Sequence, residues 1–280
     1  MKEVEEYLDL YFYRPVAFVI VKSVYNTAIT PDHLTLAAIF CGVSGSILYT
    51  KGPGTTAFIG ALLFALFIIF DCSDGQLARL KKNGTPLGRI LDGAADYLVS
   101  ISVYIGIAFG FSHEYGEPSM MILLLIFSGL SVMVQHMLVD FYRTRFLTVV
   151  SKRKNILKED QKEYRIEYIR LKSIKGKALE RYVIYLYLVY LKLQRKLTAR
   201  RTKDEFTDIS AEDYYNKNRV LLRLWLTMGP SAMRTTLIVC SVLNRFDIFF
   251  WIIIAGFNTL AAALWVIQRQ IDRSLLTQTG

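Results

Sequence analysis

The chain has 280 residues, of which 53% are hydrophobic and 13% aromatic, and a mean hydropathy of +0.31. That is too apolar for an ordinary soluble domain and points to a membrane protein. The net charge of +10 belongs to one segment: residues 151–223 hold 20 Lys/Arg against 10 Asp/Glu, whereas the rest of the chain holds 14 of each. This segment must lie outside the bilayer. Its expected partner is an anionic lipid surface rather than nucleic acid, because it is wedged between apolar runs.

Residues 3–24 are amphipathic and aromatic, with Pro15 expected to interrupt them. They read as a helix lying along the interface rather than across it. No long apolar stretch opens the chain, so no cleavable signal peptide is expected. Thr30-Pro31 is a good helix start, and a first span follows from about His33 to Thr50. Lys51-Gly52-Pro53-Gly54 makes a turn. A second span starts near Thr56 and continues as a helix to Leu80, where Lys81 and Lys82 mark its exit from hydrocarbon. Asn83-Gly84 ends it, and Thr85-Pro86 opens a third span, Gly88 to Phe111. After an acidic loop at 113–118, a fourth span runs from Ser119 to about Asp140 and on toward Val150.

Within the basic segment, Glu159 to Arg181 reads as a solvated charged helix. The run Tyr182 to Leu193 has 12 residues, too few to cross about 30 Å of hydrocarbon. It is expected to dock on lipid or on the N-terminal helix. Two more spans, Leu221 to Leu243 with a kink at Gly229-Pro230 and Ile248 to Ile267, close the chain. The three cysteines, Cys41, Cys72 and Cys240, lack metal-type spacing and read as small packing residues.

The expected fold is therefore all-α and integral to the membrane, with six transmembrane helices, an N-terminal amphipathic interfacial helix and a basic cytoplasmic helical insert between spans four and five. The divisions are 1–29, the juxtamembrane helix; 30–150, spans one to four; 151–220, the insert; and 221–280, spans five and six with the tail. Lysine and arginine bias places both termini, the insert and the exit of span two in the cytoplasm.

Asp71, Asp74, Gly75 and Ala78 are spaced i, i+3, i+4, i+7, with Arg79 at the edge of that face. Gly88, Asp92 and Asp96 are spaced i, i+4, i+8 on the next helix. Each set shares one helical face. Spans two and three are expected to be antiparallel neighbours, so the two acidic faces can meet. An acid at bilayer depth costs about 2.5–3.5 kcal/mol on insertion scales, and four converging carboxylates repel one another. A bound hard divalent cation resolves both problems, and oxygen ligands favour Mg²⁺, Mn²⁺ or Ca²⁺ over zinc. The bland alternative is interfacial pairing with Arg79, Lys81, Lys82 and Arg89. It does not account for small residues sharing the acidic stripe.

The pattern Asp71-x2-Asp74-Gly75-x2-Ala78-Arg79-x8-Gly88-x3-Asp92-x3-Asp96 resembles the full signature of the CDP-alcohol phosphotransferase (CDP-alcohol phosphatidyltransferase) family. The resemblance implies an enzyme that moves a phosphoryl-alcohol group from a CDP-alcohol to a second alcohol and releases CMP. It implies Mg²⁺ or Mn²⁺, two ions, on Asp71, Asp74, Asp92 and Asp96, with Asp96 also the catalytic base. It implies that Asp74, Gly75, Ala78, Arg79 and Gly88 shape the CDP site, with Thr35 as a further nucleotide contact. Phospholipid biosynthesis in a prokaryotic cell membrane, an active site facing the cytoplasm and a homodimer are the associated expectations.

The acceptor must be sought outside the signature. Arg143, Arg223, Arg234 and His136 are the candidates, with His136 sharing a face with Asp140. Arg234 falls near mid-span, where a cation is functional by default. These arginines suggest an anionic, phosphorylated acceptor. CDP-diacylglycerol is the expected donor. A soluble donor such as CDP-inositol or a CDP-choline/ethanolamine type is the alternative, and a transporter or a non-catalytic scaffold with a basic arm represents the other functional classes.

Overall fold

The computed structural model describes residues 2–82, 86–111, 118–151, 156–174, 177–198 and 209–277. The expected Asn83-Gly84 helix stop, the Thr85 cap, the 113–117 part of the acidic loop and residues 199–208 of the insert lie outside these. All regular structure among the described residues is helical. Among the described residues, five helical stretches are long and apolar enough to cross a membrane: Pro31–Tyr49, Thr55–Lys81, Asp92–Gly110, Ser119–Val150 and Phe246–Leu276.

The first surprise is Pro15. Proline removes a donor and its ring collides with the carbonyl four residues back, so an interruption was the expectation. Instead a π turn, Asp9–Tyr13, runs directly into helix α1, Arg14–Val24. The wider turn gives the proline ring room without breaking the helix. Helix α1 buries Ala17 and Val21 and leaves Phe18 and Val19 exposed. Its buried side lies on α3, where Gln76 Nε2 donates to the Arg14 carbonyl at 3.1 Å and Ser73 Oγ to the Ala17 carbonyl at 3.4 Å.

Helix α2, Pro31–Tyr49, starts where Thr30 and Pro31 predict, with the Thr30 amide donating to His33 Nδ1 at 3.1 Å. The following turn uses Gly52 and Gly54 at positive φ, 85° and 99°. Helix α3, Thr55–Lys81, ends on Lys82 in the left-handed conformation. Lys81 does not pair with the acids: its Nζ donates to the Thr27 and Ile29 carbonyls at 3.0 and 2.8 Å. Helix α4 is Pro86–Phe111 and α5 is Pro118–Val150.

Helix α2 packs closely along both α3 and α4. The expected picture of α3 and α4 as a simple antiparallel pair misses this shared partner. The approach depends on missing side chains: a Cβ on Gly45 would stand 2.9 Å from the Gly60 carbonyl oxygen, and one on Gly106 or Gly110 would collide with the α2 carbonyls of Ser46 or Tyr49. Helices α3 and α4 are thus each held at backbone contact distance from α2, as small residues permit inside membranes.

The insert forms α6, Ile156–Lys172, and α7, Ala178–Thr198. The single charged helix expected from Glu159 to Arg181 is therefore divided after Lys172. The aromatic run lies within α7, whose partners are α6 and α4: Tyr164, Leu171 and Ile184 form a small core with Ile90 against it. Among the described residues, α7 thus packs on α6 and α4 rather than on the N-terminal helix, and Tyr182 and Tyr185 stay exposed, as the lipid alternative requires.

The expected fifth span, Leu221 to Leu243, is two helices, α8 (Ala211–Leu226) and α9 (Pro230–Val242). The kink anticipated at Gly229-Pro230 is a full break, because Pro230 has no N–H to extend α8 and starts α9 instead. At 1.5 Å per residue, α9 is only about 20 Å long. The last stretch is α10, Phe246–Trp251, a π segment Ile252–Phe257, and α11, Asn258–Leu276. The π segment meets α5 through Gln135, whose Nε2 donates to the Ile253 carbonyl at 3.0 Å and to Asn258 Oδ1 at 2.8 Å.

The largest buried cluster joins Phe64, Phe67 and Ile68 of α3 to Val99, Val103 and Ile107 of α4 and to Leu237 of α9. Cys41 and Cys240 are packing residues of this core and Cys72 lies against it, as the sequence suggests.

Candidate active site

The register of α3 and α4 does bring the acids together. Carboxylate oxygens of Asp71, Asp74 and Asp92 all lie within 4.8 Å of one another, a grouping able to hold a metal ion. Asp74 is buried, and Asp71 and Asp92 are half-buried. Asp92 Oδ1 is buried without a hydrogen-bond partner. Three hard oxygen donors and an orphaned buried oxygen fit a divalent cation such as Mg²⁺ or Mn²⁺.

Asp96 is placed differently from the other three. It lies one turn further along α4 and is not part of the three-acid grouping. Its Oδ1 is 2.7 Å from Arg234 Nη2, and Arg234 Nη1 is 3.7 Å from Asp71 Oδ2. Arg234 is buried, with its guanidinium also over the Phe67 ring at 5.5 Å. Among the described residues, a cation facing the acids therefore comes from α9, far away in sequence.

Thr35, expected at the nucleotide, donates its hydroxyl to Asp74 Oδ2. It therefore orients a cluster carboxylate, as outer partners of metal ligands do. Gly75 and Ala78 share the Asp71–Asp74 face, and Arg79 is exposed with its guanidinium beside Gly75. Gly88 is half-buried on α4, one turn before Asp92.

The remaining acceptor candidates separate. His136 Nε2 is buried without a hydrogen-bond partner, on α5. Arg143 is exposed at the far end of the same helix. Arg223 does not reach the acids: it donates to the Glu5 carbonyl at 3.4 Å and lies 4.6 Å over the Tyr7 ring. Arg145, the neighbouring basic residue, is tied to Asp272 at 2.9 Å.

Several site-shaping residues escape sequence reasoning. Glu6 accepts from the Ser231 and Ala232 amides at 3.0 and 3.1 Å, Asp9 accepts from Ser231 Oγ at 2.6 Å, and Tyr13 Oη is 2.7 Å from Thr235 Oγ1. No local pattern encodes such contacts. The only available signal is that Gly229 cannot cap α9 with a side chain of its own.

The described residues thus combine span-length apolar helices with an acidic grouping able to hold a metal ion. Residues 28–193 match the family described as CDP-alcohol phosphatidyltransferase, and the chain belongs to that family. With five helical stretches long and apolar enough to cross a membrane among its described residues, it is an integral membrane protein. Among curated relatives, it is similar to the phosphatidylinositol phosphate synthase of Mycolicibacterium smegmatis, 32% identical over 113 residues, or 40% of this chain and 48% of that protein. It is also similar to the phosphatidylinositol phosphate synthase of Corynebacterium glutamicum, 27% identical over 131 residues, or 47% and 55% of the two chains. The matches thus span about half the length of these relatives.

Proposed function

We propose that this protein transfers a phosphatidyl group from CDP-diacylglycerol to a phosphorylated polyol of the inositol phosphate class, releasing CMP. The observation that carries the reading is the meeting of two unlike elements: the Asp71, Asp74, Asp92 grouping and a buried arginine, Arg234, against Asp96. The names of the curated relatives support the acceptor class.

In this reading Asp71, Asp74 and Asp92 hold Mg²⁺ or Mn²⁺, with Asp96 available to a second ion. A metal bound there would offset charge on the diphosphate and on departing CMP. Gly75 and Ala78 leave room for the nucleotide and phosphates to approach the α3 backbone, Gly88 does the same on α4, and Arg79 holds the phosphates. Thr35 fixes Asp74. Asp96 takes the proton of the acceptor hydroxyl, whose oxygen bonds to the β-phosphorus while the bond from that phosphorus to the CMP oxygen breaks. Arg234, beside Asp96, holds the acceptor's own phosphate, with His136 and the exposed Arg143 on its approach. Most of the catalysis is positioning and electrostatics, as is general for phosphoryl transfer.

For the membrane, α9 with the end of α8 completes a sixth crossing beside the five long helices. The site opens to the cytoplasmic face of the cell membrane, where Lys81, Lys82 and the basic insert favour that side. The test pairs labelled CDP-diacylglycerol, CDP-inositol and CDP-choline with inositol phosphate, inositol, glycerol phosphate and serine, in Mg²⁺ and in Mn²⁺. CMP release and a labelled lipid are expected with CDP-diacylglycerol and a phosphorylated acceptor. Turnover with only an uncharged acceptor, or only a soluble donor, overturns the substrate assignment.

A further inference from the structure

Helix α9 carries Arg234 yet is poorly equipped to hold itself in place. Its N-cap is Gly229, which has no side chain, and its first residue is Pro230, which has no N–H. The amides left for capping are those of Ser231 and Ala232, the second and third helical positions, where a normal N-cap side chain would bond. Both are taken by Glu6 Oε2, at 3.0 and 3.1 Å. The fit is close: a Cβ on Gly229 would collide with the Glu6 carboxyl group. Two further contacts continue the line along α9, Asp9 with Ser231 Oγ and Tyr13 with Thr235. Ser231 and Thr235 flank Arg234 by one turn and one residue.

The other end of this strap is fastened as well. Glu5 pairs with Arg14, and Arg223 of α8 covers Tyr7 and reaches the Glu5 carbonyl. The N-terminal segment therefore bridges the break between α8 and α9 and sets the height of α9 against α3. We propose that Glu6 is a positioning residue: by capping α9 from across the molecule it holds Arg234 at the catalytic acids. This rests on the assignment of Arg234 to the acceptor phosphate.

The experiment uses full-length protein in detergent, with affinities for inositol phosphate and for CDP read by thermal shift, and KM and kcat read by CMP release. Glu6→Ala is expected to weaken inositol phosphate binding and raise its KM roughly tenfold, in line with the loss of a helix cap, while CDP affinity stays unchanged. Glu6→Gln retains an acceptor oxygen and should behave nearly as wild type. Gly229→Ser in the Glu6→Ala background supplies a local cap in the space vacated, and Gly229 already has extended backbone angles (φ −75°, ψ 173°) that serine accepts. That pair should recover the acceptor KM. On an Arg234→Ala background, Glu6→Ala should have no further effect on the acceptor.

A wild-type acceptor KM in Glu6→Ala, an additive loss on the Arg234→Ala background, or failure of Gly229→Ser to restore binding overturns the proposal. If Glu6→Ala alone does not accumulate as folded protein, the rescued pair is compared with wild type directly. A pair that folds yet binds inositol phosphate tenfold worse also overturns it. An Arg234→Ala variant with unchanged acceptor binding sinks the acceptor assignment and this inference together. A strong Arg234→Ala effect beside a silent Glu6→Ala sinks this inference alone.

Discussion

Arg234 Nη2, on a buried side chain of α9, stands 2.7 Å from Oδ1 of the partly exposed Asp96 on α4. Truncating one partner of a fully buried ion pair costs about 2–5 kcal/mol, and with the Asp96 side chain 35% exposed the low end of that range applies here. Arg234→Ala is therefore expected to raise the acceptor KM by at least about tenfold, with the donor KM little changed. Lysine at the same place should recover only part of this, since it lacks the planar fork that serves two carboxylates. Steady-state kinetics with each substrate varied in turn decide the matter.

Thr35 donates to Asp74, so its removal should be felt by the metal. Loss of an outer partner typically weakens metal affinity about 10–100-fold. Thr35→Val is expected to fall in this range and Thr35→Ser to remain near wild type, in a titration followed by Mn²⁺ electron paramagnetic resonance. If Thr35→Val leaves Mn²⁺ affinity intact and changes only the donor KM, Thr35 is a nucleotide contact instead.

Gly110 and Gly129 make a matched pair for stability. A methyl group at Gly110 meets the Tyr49 carbonyl, whereas nothing lies within 4 Å of one at Gly129. Gly110→Ala should destabilise by about 1–3 kcal/mol through overpacking. Gly129→Ala should be neutral or gain up to about 1 kcal/mol from helix propensity. Thermal unfolding in detergent compares the two.

Glu6 carries a pH signature. Burial, reinforced by the neighbouring Asp9 carboxylate, pushes its pKa from 4.5 up to about 7, against the opposing pull of the Ser231 and Ala232 amides and of Arg234. Because the folded value is the higher one, this contribution to stability is fully present below pH 4.5 and is lost as pH rises through about 7. Thermal stability should therefore decline across that interval. Glu6→Gln, which cannot titrate, should flatten the decline, and an unchanged slope in that variant assigns the titration elsewhere.

The motif residues were readable because a helix converts spacing into direction. Asp71 and Asp74 fall on one side of α3, Asp92 and Asp96 on one side of α4, and no tertiary information is needed to see it. What the acids face is another matter. Arg234 was visible as a costly cation, but its partners lie on helices more than 130 residues away, and nothing local specifies them. The π turn before Pro15 and the break at Gly229 show the same limit: proline announces a disturbance without saying whether the chain will widen, bend or stop. The close seating of α4 on α2 did leave a trace. Gly106-x3-Gly110 is a small-residue spacing of the kind that lets membrane helices touch.

The strap formed by Glu6, Asp9 and Tyr13 also fixes an order of assembly. These residues precede Ser231, Ala232 and Thr235 by more than 220 residues. While α2 to α5 enter the membrane, the N-terminal segment has no α9 to hold. Arg234 can take its place against Asp96 only once α9 has emerged, long after α3 and α4, so the protein closes this site by joining stretches more than 220 residues apart.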